Sequence, residues 1–359
     1  MIDSKIRIRE IADAAGVSLA TVSRVINRNP VVKENTRAAV CRAMQELGIK
    51  LPKGIDQPSP LNTSRASQES NILLVLIPSR NEIFHQDIIR GIGDSAKAHN
   101  YHVVTYIGAP TENTLSEFIV MVQTMRVRGI ISTIYIDKEV LQKLAKEIPV
   151  VQCCEYSDSS CSYVSVDDRT AARTATEYIL STGHRKIALL NSSLRFRFSR
   201  HRHEGFMTAM ESAGITVPDN WIVNLANSEF DTAAAAVMQL LSGASIPDAI
   251  FATSDYLALA VLSVAHNMGV DIPGDLVVVG FDDISIASMS TPMLTTVNMP
   301  TYQMGYTSSE ILMDKIHQEN NIDKHILFNP KLVIRASSAK ENVDRIVVRS
   351  LTPKSSTEQ

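Results

Sequence analysis

The chain has 359 residues, with 35 Lys+Arg against 38 Asp+Glu and 45% hydrophobic residues, for a formal charge of −3. That length is too great for one core and suits a small head with a larger two-part body. No basic start leads into an apolar run and no stretch approaches about eighteen consecutive apolar residues, so the sequence reads as neither exported nor membrane-spanning, which makes it cytoplasmic.

The modest net charge hides an asymmetry. Residues 1–53 carry 10 Lys+Arg against 5 Asp+Glu, leaving 25 against 33 for the remainder. A basic head on an acidic body is the charge distribution of a phosphate-binding module joined to a domain that does not touch nucleic acid. The four cysteines, Cys41, Cys153, Cys154 and Cys161, form no CxxC pair and have no histidine at metal spacing. They read as reduced thiols, with no metal called for.

The first elements form the stretch IREIADAAGVSLATVSRVIN, residues 8–27. Ile8, Ile11, Ala12 and Ala15 recur at i, i+3, i+4 and i+7 and define one helix face. Gly16 is placed to stop that helix in a left-handed turn. Ser18 is a good N-cap for a second helix from Leu19, whose apolar residues Val22, Val25 and Ile26 face the first. This spacing predicts a helix-turn-helix. The outward set is Ser18, Leu19, Ala20, Thr21, Ser23, Arg24 and Asn27. Hydroxyls bond phosphate oxygens and the Arg fork reads the O6/N7 pair of guanine, so these seven residues are the candidate DNA-binding surface. The bland alternative is an ordinary helical hairpin in a packed domain.

A third helix is expected from about Thr36 to Leu47, with Val40, Ala43, Met44 and Leu47 on its apolar face and Gly48 as its stop. Residues 51–70, LPKGIDQPSPLNTSRASQES, are rich in Pro, Ser, Asn and Gln and read as a linker in which Pro58 and Pro60 would break a helix. Beyond it, NILLVLIP, YHVVTYI, GIISTI and PVVQCC read as buried strands, with a helix-like IIRGIGDSAKAHN between the first two. KIALL, WIVNL, AIFAT and LVVVGF repeat the scheme. Strands alternating with helices imply parallel sheets, and two such sets imply two doubly wound lobes with a ligand cleft at the strand ends between them. No GxGxxG follows a strand and no GxxxxGK[ST] loop is present, so no nucleotide cofactor is expected. The tail after residue 340 is polar and without leucine heptads, so a tail-built tetramer is not expected.

IREIADAAGVSLATVSRVIN, TRAAVCRAMQELG, GHRKIALL, SDYLALAVL, VVVGFDD and PMLTTV follow one another in an order that resembles the LacI/GalR family of bacterial transcription regulators, over about residues 6–338. The fold expected is therefore an N-terminal three-helix helix-turn-helix head (1–50), a linker or hinge (51–70), and an α/β body (71–340) of two doubly wound parallel-sheet lobes of periplasmic-binding-protein type, with a polar tail (341–359). The resemblance implies three chain crossings between lobes, placed near Ser165, Met299 and Lys331. It also implies a homodimer on double-stranded operator DNA, most often a repressor, controlled by a small-molecule effector such as a sugar, sugar derivative or nucleoside. Relatives place a minor-groove wedge helix in the linker, but here Ile49 and Lys53 replace its usual tyrosine and asparagine, so a looser linker is expected.

Effector residues are likewise implied by matching position. Phe84 and His85 follow the first body strand, where relatives stack aromatics on a ligand ring. Cys154 and Glu155 end PVVQCC, where relatives often carry Asp or Asn. Arg202 matches a ligand-clamping arginine, Asp282 a hydroxyl acceptor, and Ser254 an inward polar group. Ser228 stands where relatives often have an aromatic lid. The plain reading of Arg202 and Asp282 is a structural ion pair across the cleft. The run RFRFSRHRH, residues 195–203, would ordinarily be a solvated loop, but next to Arg202 it suits an anionic effector. Catalysis is not expected: the Asp167/Asp168 and Asp282/Asp283 pairs come without a GxSxG elbow or HExxH. The competing reading is a regulator controlled by a protein partner, and a more remote one is a carbohydrate-acting enzyme.

Overall fold

The computed structural model describes residues 2–27, 32, 34–49, 71–78, 83–226, 229–317, 322–339 and 347–350. The expectations for the linker and for Ser228 lie outside these residues. Contacts divide the chain into two compact units, Met1–Glu69 and Ser70–Gln359.

Among its described residues the first unit contains three helices, α1 (Ile2–Ala15), α2 (Leu19–Ile26) and α3 (Glu34–Glu46). Ile11, Ala12, Val22, Val25, Val32, Val40, Ala43 and Met44 form its core. Gly16 and Gly48 both sit at positive φ, 64° and 67°. Each closes a helix in the same way: Val17 N–H donates to Ala12 O and Ile49 N–H to Met44 O, which satisfies carbonyls the helix end leaves open. Ser18 Oγ accepts from Thr21 N–H at 3.2 Å and caps α2. Leu47 departs from the expected apolar face. It is 42% exposed, because α3 ends at Glu46 and the turn through Gly48 carries Leu47 away from the core.

The second unit holds two sheets. In lobe 1 come β1 (Ile72–Ile77), α4 (Phe84–Ala98), β2 (His102–Ile107), α5 (Leu115–Thr124), β3 (Val127–Ser132), α6 (Lys138–Glu147), β4 (Val150–Cys153) and β5 (Tyr163–Val166). The chain then enters lobe 2 with α7 (Asp168–Ser181), β6 (Ile187–Asn191), α8 (Arg197–Ser212), β7 (Ile222–Asn224), α9 (Phe230–Leu241), β8 (Ala249–Ala252), α10 (Asp255–Met268), β9 (Val277–Asp282) and β10 (Thr295–Asn298). It returns to lobe 1 for α11 (Thr301–Ile316) and β11 (His325–Phe328), and ends in lobe 2 with β12 (Lys331–Ile334) and β13 (Val347–Ser350). The sheet orders are β11-β5-β4-β3-β1-β2 and β13-β12-β10-β9-β8-β6-β7. The crossings fall at 166–168, 298–301 and 328–331, beside the three expected positions.

Among the described residues every pair in the first sheet is parallel, and in the second only β12 pairs antiparallel, with β10 and with β13. Central strands such as β6 and β8 are buried throughout, as sheets covered by helices on both faces require. β2 reads in sequence as a buried strand but is a sheet edge, with Ile107 43% exposed. Within the stretch read as a polar tail, residues 347–350 extend the second sheet as β13. Helices α4 and α11 approach closely enough that a Cβ on Gly91 would collide with the Tyr302 carbonyl and one on Gly305 with that of Ile88. This contact fixes the helix that carries Phe84 at its first turn.

Candidate functional site

In the first unit, the outward face of α2 is the candidate DNA interface. Leu19, Ala20, Ser23, Arg24 and Asn27 are exposed and Thr21 is half-buried, while Val22 and Val25 are fully buried beneath them. Ser18 is exposed but already engaged, its hydroxyl 2.8 Å from that of Thr21 as well as capping the helix. The residues singled out in sequence therefore share one solvent-facing surface. Leu19, 50% exposed, is the large apolar group on it.

In the second unit, the strand ends that meet between the lobes carry strained backbone. Cys154, after β4, has φ 69°; Asp282 and Asp283, ending β9, have φ 113° and 55°. Such values cost a non-glycine residue roughly 1–3 kcal/mol and persist only where surrounding structure fixes them. Asp282 and Asp283, with Ile284 and Ser285 from lobe 2, face Phe84, Gln86 and Asp87 from lobe 1 around a cavity of about 130 Å³. Phe84 and Asp282 are thus brought together. His85 is buried beside Phe84, ring edge to face at 5.2 Å.

Arg202 on α8 is buried and held from every side. Its Nε donates to Asp168 Oδ1 at 2.9 Å, and its Nη1 to Thr253 O at 2.6 Å and to Asp282 Oδ1 at 3.3 Å. The guanidinium lies 3.6 Å over the Phe281 ring, a stacked geometry that a planar fork permits and an ammonium does not. The Arg202–Asp282 pair anticipated across the cleft lies instead within lobe 2. Burial pushes the Asp282 carboxyl up to about 7 against the opposing pull of Arg202. Asp255, buried behind it at the start of α10, is raised by burial and by Asp282. Ser254 caps α10 by accepting from Leu257 N–H at 3.3 Å.

The bridge between lobes is built by residues on which sequence reasoning said little. Glu155, buried at the end of the lobe 1 strand β4, accepts from the backbone N–H of Arg197 at 2.8 Å and of Phe198 at 3.4 Å, at the open end of α8 in lobe 2. It meets the N-terminal dipole of that helix, although desolvation still raises its pKa. Arg197 is itself buried: its Nη2 donates to Cys154 O at 3.1 Å, Ser165 Oγ at 2.8 Å and Asp168 Oδ2 at 3.3 Å. Its guanidinium covers Tyr156 at 4.0 Å, and Tyr156, Tyr163 and His325 continue the stack at 4.0 and 4.6 Å.

The run 195–203 is therefore no solvated loop. It opens α8, and two of its arginines are buried because Asp168 and Asp282 await them. A signal existed in the sequence: extrapolating the apolar stripe Phe206, Ala209 and Met210 back by helical steps passes through Arg202 and Ser199.

Together the two units define a class: a helix-turn-helix module joined to a two-lobed body of the kind that closes on small molecules. Residues 7–50 match the model of bacterial regulatory proteins of the lacI family, and 176–338 that of a periplasmic binding protein-like domain. The chain is 31% identical to the HTH-type transcriptional repressor PurR of Photobacterium profundum, over 92% of this chain and 98% of that protein. It is 28% identical to the ribose operon repressor of Escherichia coli (strain K12), over 92% and 99%. Among solved structures, the transcriptional regulator CelR–cellobiose complex superposes with a TM-score of 0.69 at 28% identity, over 92% of this chain and 99% of that one. The chain belongs to the LacI family of DNA-binding transcription regulators, with an effector-binding body. It is a regulator and not an enzyme. Among the described residues no helix is long and apolar enough to cross a membrane.

Proposed function

We propose that this regulator is a cytoplasmic repressor that binds a roughly palindromic operator as a homodimer and responds to a neutral, hydroxyl-bearing effector, a sugar, sugar derivative or nucleoside, held between the lobes. Residues 1–50 read the operator, 51–70 connect, and 71–340 sense the effector. One short recognition helix contacts too few bases for specificity, and a two-fold pair doubles the contacts. The relatives named as repressors and the cellobiose complex support repression and the ligand class.

The observation that carries the effector's charge class is the pairing of Arg197 and Arg202 with Asp168, Asp282 and Glu155. Both guanidinium groups already face buried carboxylates, although Arg197 Nε is left without a hydrogen-bond partner among the described residues, so the balance leans the reading of the basic run away from an anionic effector. Phe84 offers a ring face and Asp282 a hydroxyl acceptor beside the same cavity. At about 130 Å³ that cavity is below the ~300–1,000 Å³ of small-molecule sites. A sugar-sized effector therefore requires the lobes to part around that cavity, and its binding shifts the lobe equilibrium.

The test is a thermal-shift screen of the full chain against neutral sugars, sugar acids, sugar phosphates and nucleosides, repeated with Phe84→Ala and Asp282→Asn. A neutral hit weakened by both substitutions is expected. A sugar phosphate or sugar acid as the sole hit refutes the charge argument. No shift from any compound, with a cooperative melt, moves the reading to control by a protein partner.

A further inference from the structure

Cys153 and Cys154 are the one adjacent cysteine pair of the sequence, and neither is in a disulfide. Consecutive strand residues point to opposite faces, which would hold their sulfurs apart. Here the left-handed backbone at Cys154 turns its side chain back, and the two Sγ atoms lie 3.8 Å apart. Cys153 is fully buried, and Cys154 is half-buried at the strand end beside Glu155.

The separation decides what such a pair can do. A disulfide usually spans Cα atoms roughly 4.4–6.8 Å apart, whereas a trans peptide holds neighbours at about 3.8 Å, so direct S–S bonding is strained. A linear two-coordinate centre with bonds of about 2.3 Å would need the sulfurs about 4.6 Å apart. A tetrahedral centre with the same bonds needs about 3.8 Å, and a pyramidal one, with angles of about 90–100°, about 3.3–3.5 Å, a contraction of a few tenths of an ångström from the separation here. No cluster of three or more His, Cys, Asp or Glu able to hold a metal ion occurs among the described residues. The acceptor that fits is one requiring two thiolates and bringing its own third substituent.

We propose that Cys153 and Cys154 form a preorganised dithiol site for a monosubstituted trivalent arsenical, or a soft acceptor of the same two-thiol chemistry, at the lobe junction. A hydrated organoarsenic(III), R–As(OH)₂, forms two As–S bonds. Its two As–OH bonds break, and each hydroxide leaves as water with one thiol proton. Arsenic stays trivalent throughout, so no oxidant is consumed. Cys154 O accepts from Ser165 Oγ at 2.6 Å and from Arg197 Nη2, so ligation acts on the residue that anchors the lobe bridge. The site stands on this geometry and is independent of which effector the cleft takes.

Phenylarsine oxide is the probe, with intact-mass analysis of the full-length protein under native conditions. The wild type and a Cys41→Ser/Cys161→Ser double variant are expected to take one arsenical per chain. Cys153→Ala and Cys154→Ala are each expected to bind at least ~100-fold more weakly, the loss when two-point attachment becomes one-point. Ethanedithiol should strip the wild-type adduct while 2-mercaptoethanol at equal thiol concentration does not, a readout that needs no variant to fold. An adduct that survives either alanine substitution, depends on Cys41 or Cys161, or forms only on the urea-unfolded chain would overturn the assignment.

Discussion

Arg24 on α2 and Arg202 on α8 are both candidate ligand-reading arginines in surroundings of opposite kind. Arg24 stands in water on a helix whose other face alone is packed. Arg202 is buried, bonded to two carboxylates and a carbonyl, and stacked on a ring. The first meets a partner by shedding water and counterions, so salt governs its binding. The second meets a partner only by giving up bonds it already has, so ligand affinity in the cleft is tied to the stability of the lobes.

The sharpest way to break this contrast is to truncate both. Arg202→Ala leaves Asp168 and Asp282 buried without their shared cation and is expected to cost about 3–5 kcal/mol in urea unfolding of the full chain. Arg24→Ala should leave the unfolding midpoint where it is and cost about 1–3 kcal/mol of operator affinity at a fixed salt concentration. Equal destabilisation by both would erase the distinction.

Acidity offers a second handle, confined to the cleft. Asp282 has its folded pKa raised to about 7, chiefly by burial. From the ordinary carboxylate range up to about 7 the native state holds a proton that the unfolded chain has lost. Stability should therefore fall as pH rises through that window, by up to ~1.4 kcal/mol per pH unit. Glu155, also raised, acts in the same sense. Asp282→Asn should flatten the slope in urea titrations across this range, and a stability that climbs with pH would show Arg202 outweighing desolvation.

The smallest effects belong to the head. Ser18→Ala removes the cap of α2 and should cost about 1 kcal/mol. Exchanging Leu19 and Ala20 should change which sequences are recovered from a random duplex library while the salt dependence of nonspecific binding stays put. Uniform weakening on all duplexes would remove these two residues from base reading.

The same contrast explains what could be read in advance. The head is local: the Ala12, Gly16, Ser18 and Val22 spacing contains its own turn chemistry, and α2 exposes the residues that spacing predicts. Eight body strands, β1 to β4 and β6 to β9, were legible as apolar runs, though the edge positions of β2 and β7 depend on sheet order and not on their own residues; β5 and β10 to β13, short or mixed in polarity, were not read as strands. The cleft was legible only as single positions. Arg197 and Glu155 are 42 residues apart and on different lobes, and Arg202 meets Asp282 from 80 residues away. The helical stripe of α8 places Arg202 on the inward face, but no local period names the counter-charge that reaches it from another element. Leu47 failed for the converse reason, since one turn at Gly48 took it off a periodic face.

The three passages between lobes bear on how the chain is made. Lobe 1 is interrupted after Val166 and resumes only at Thr301, whose helix packs on α4. At ribosomal rates of ~5–20 residues per second, the intervening stretch of about 135 residues takes on the order of ten seconds to emerge. Throughout that interval the nascent chain exposes the face of α4 on which Gly91 will meet Tyr302, and the sheet lacks β11 at its border. Lobe 2, by contrast, has all of β6 to β10 in one uninterrupted stretch. The second lobe can therefore assemble β6 to β10 while the first still waits for its last helix, and of its described strands only the border strands β12 and β13 remain to be added to it after β11.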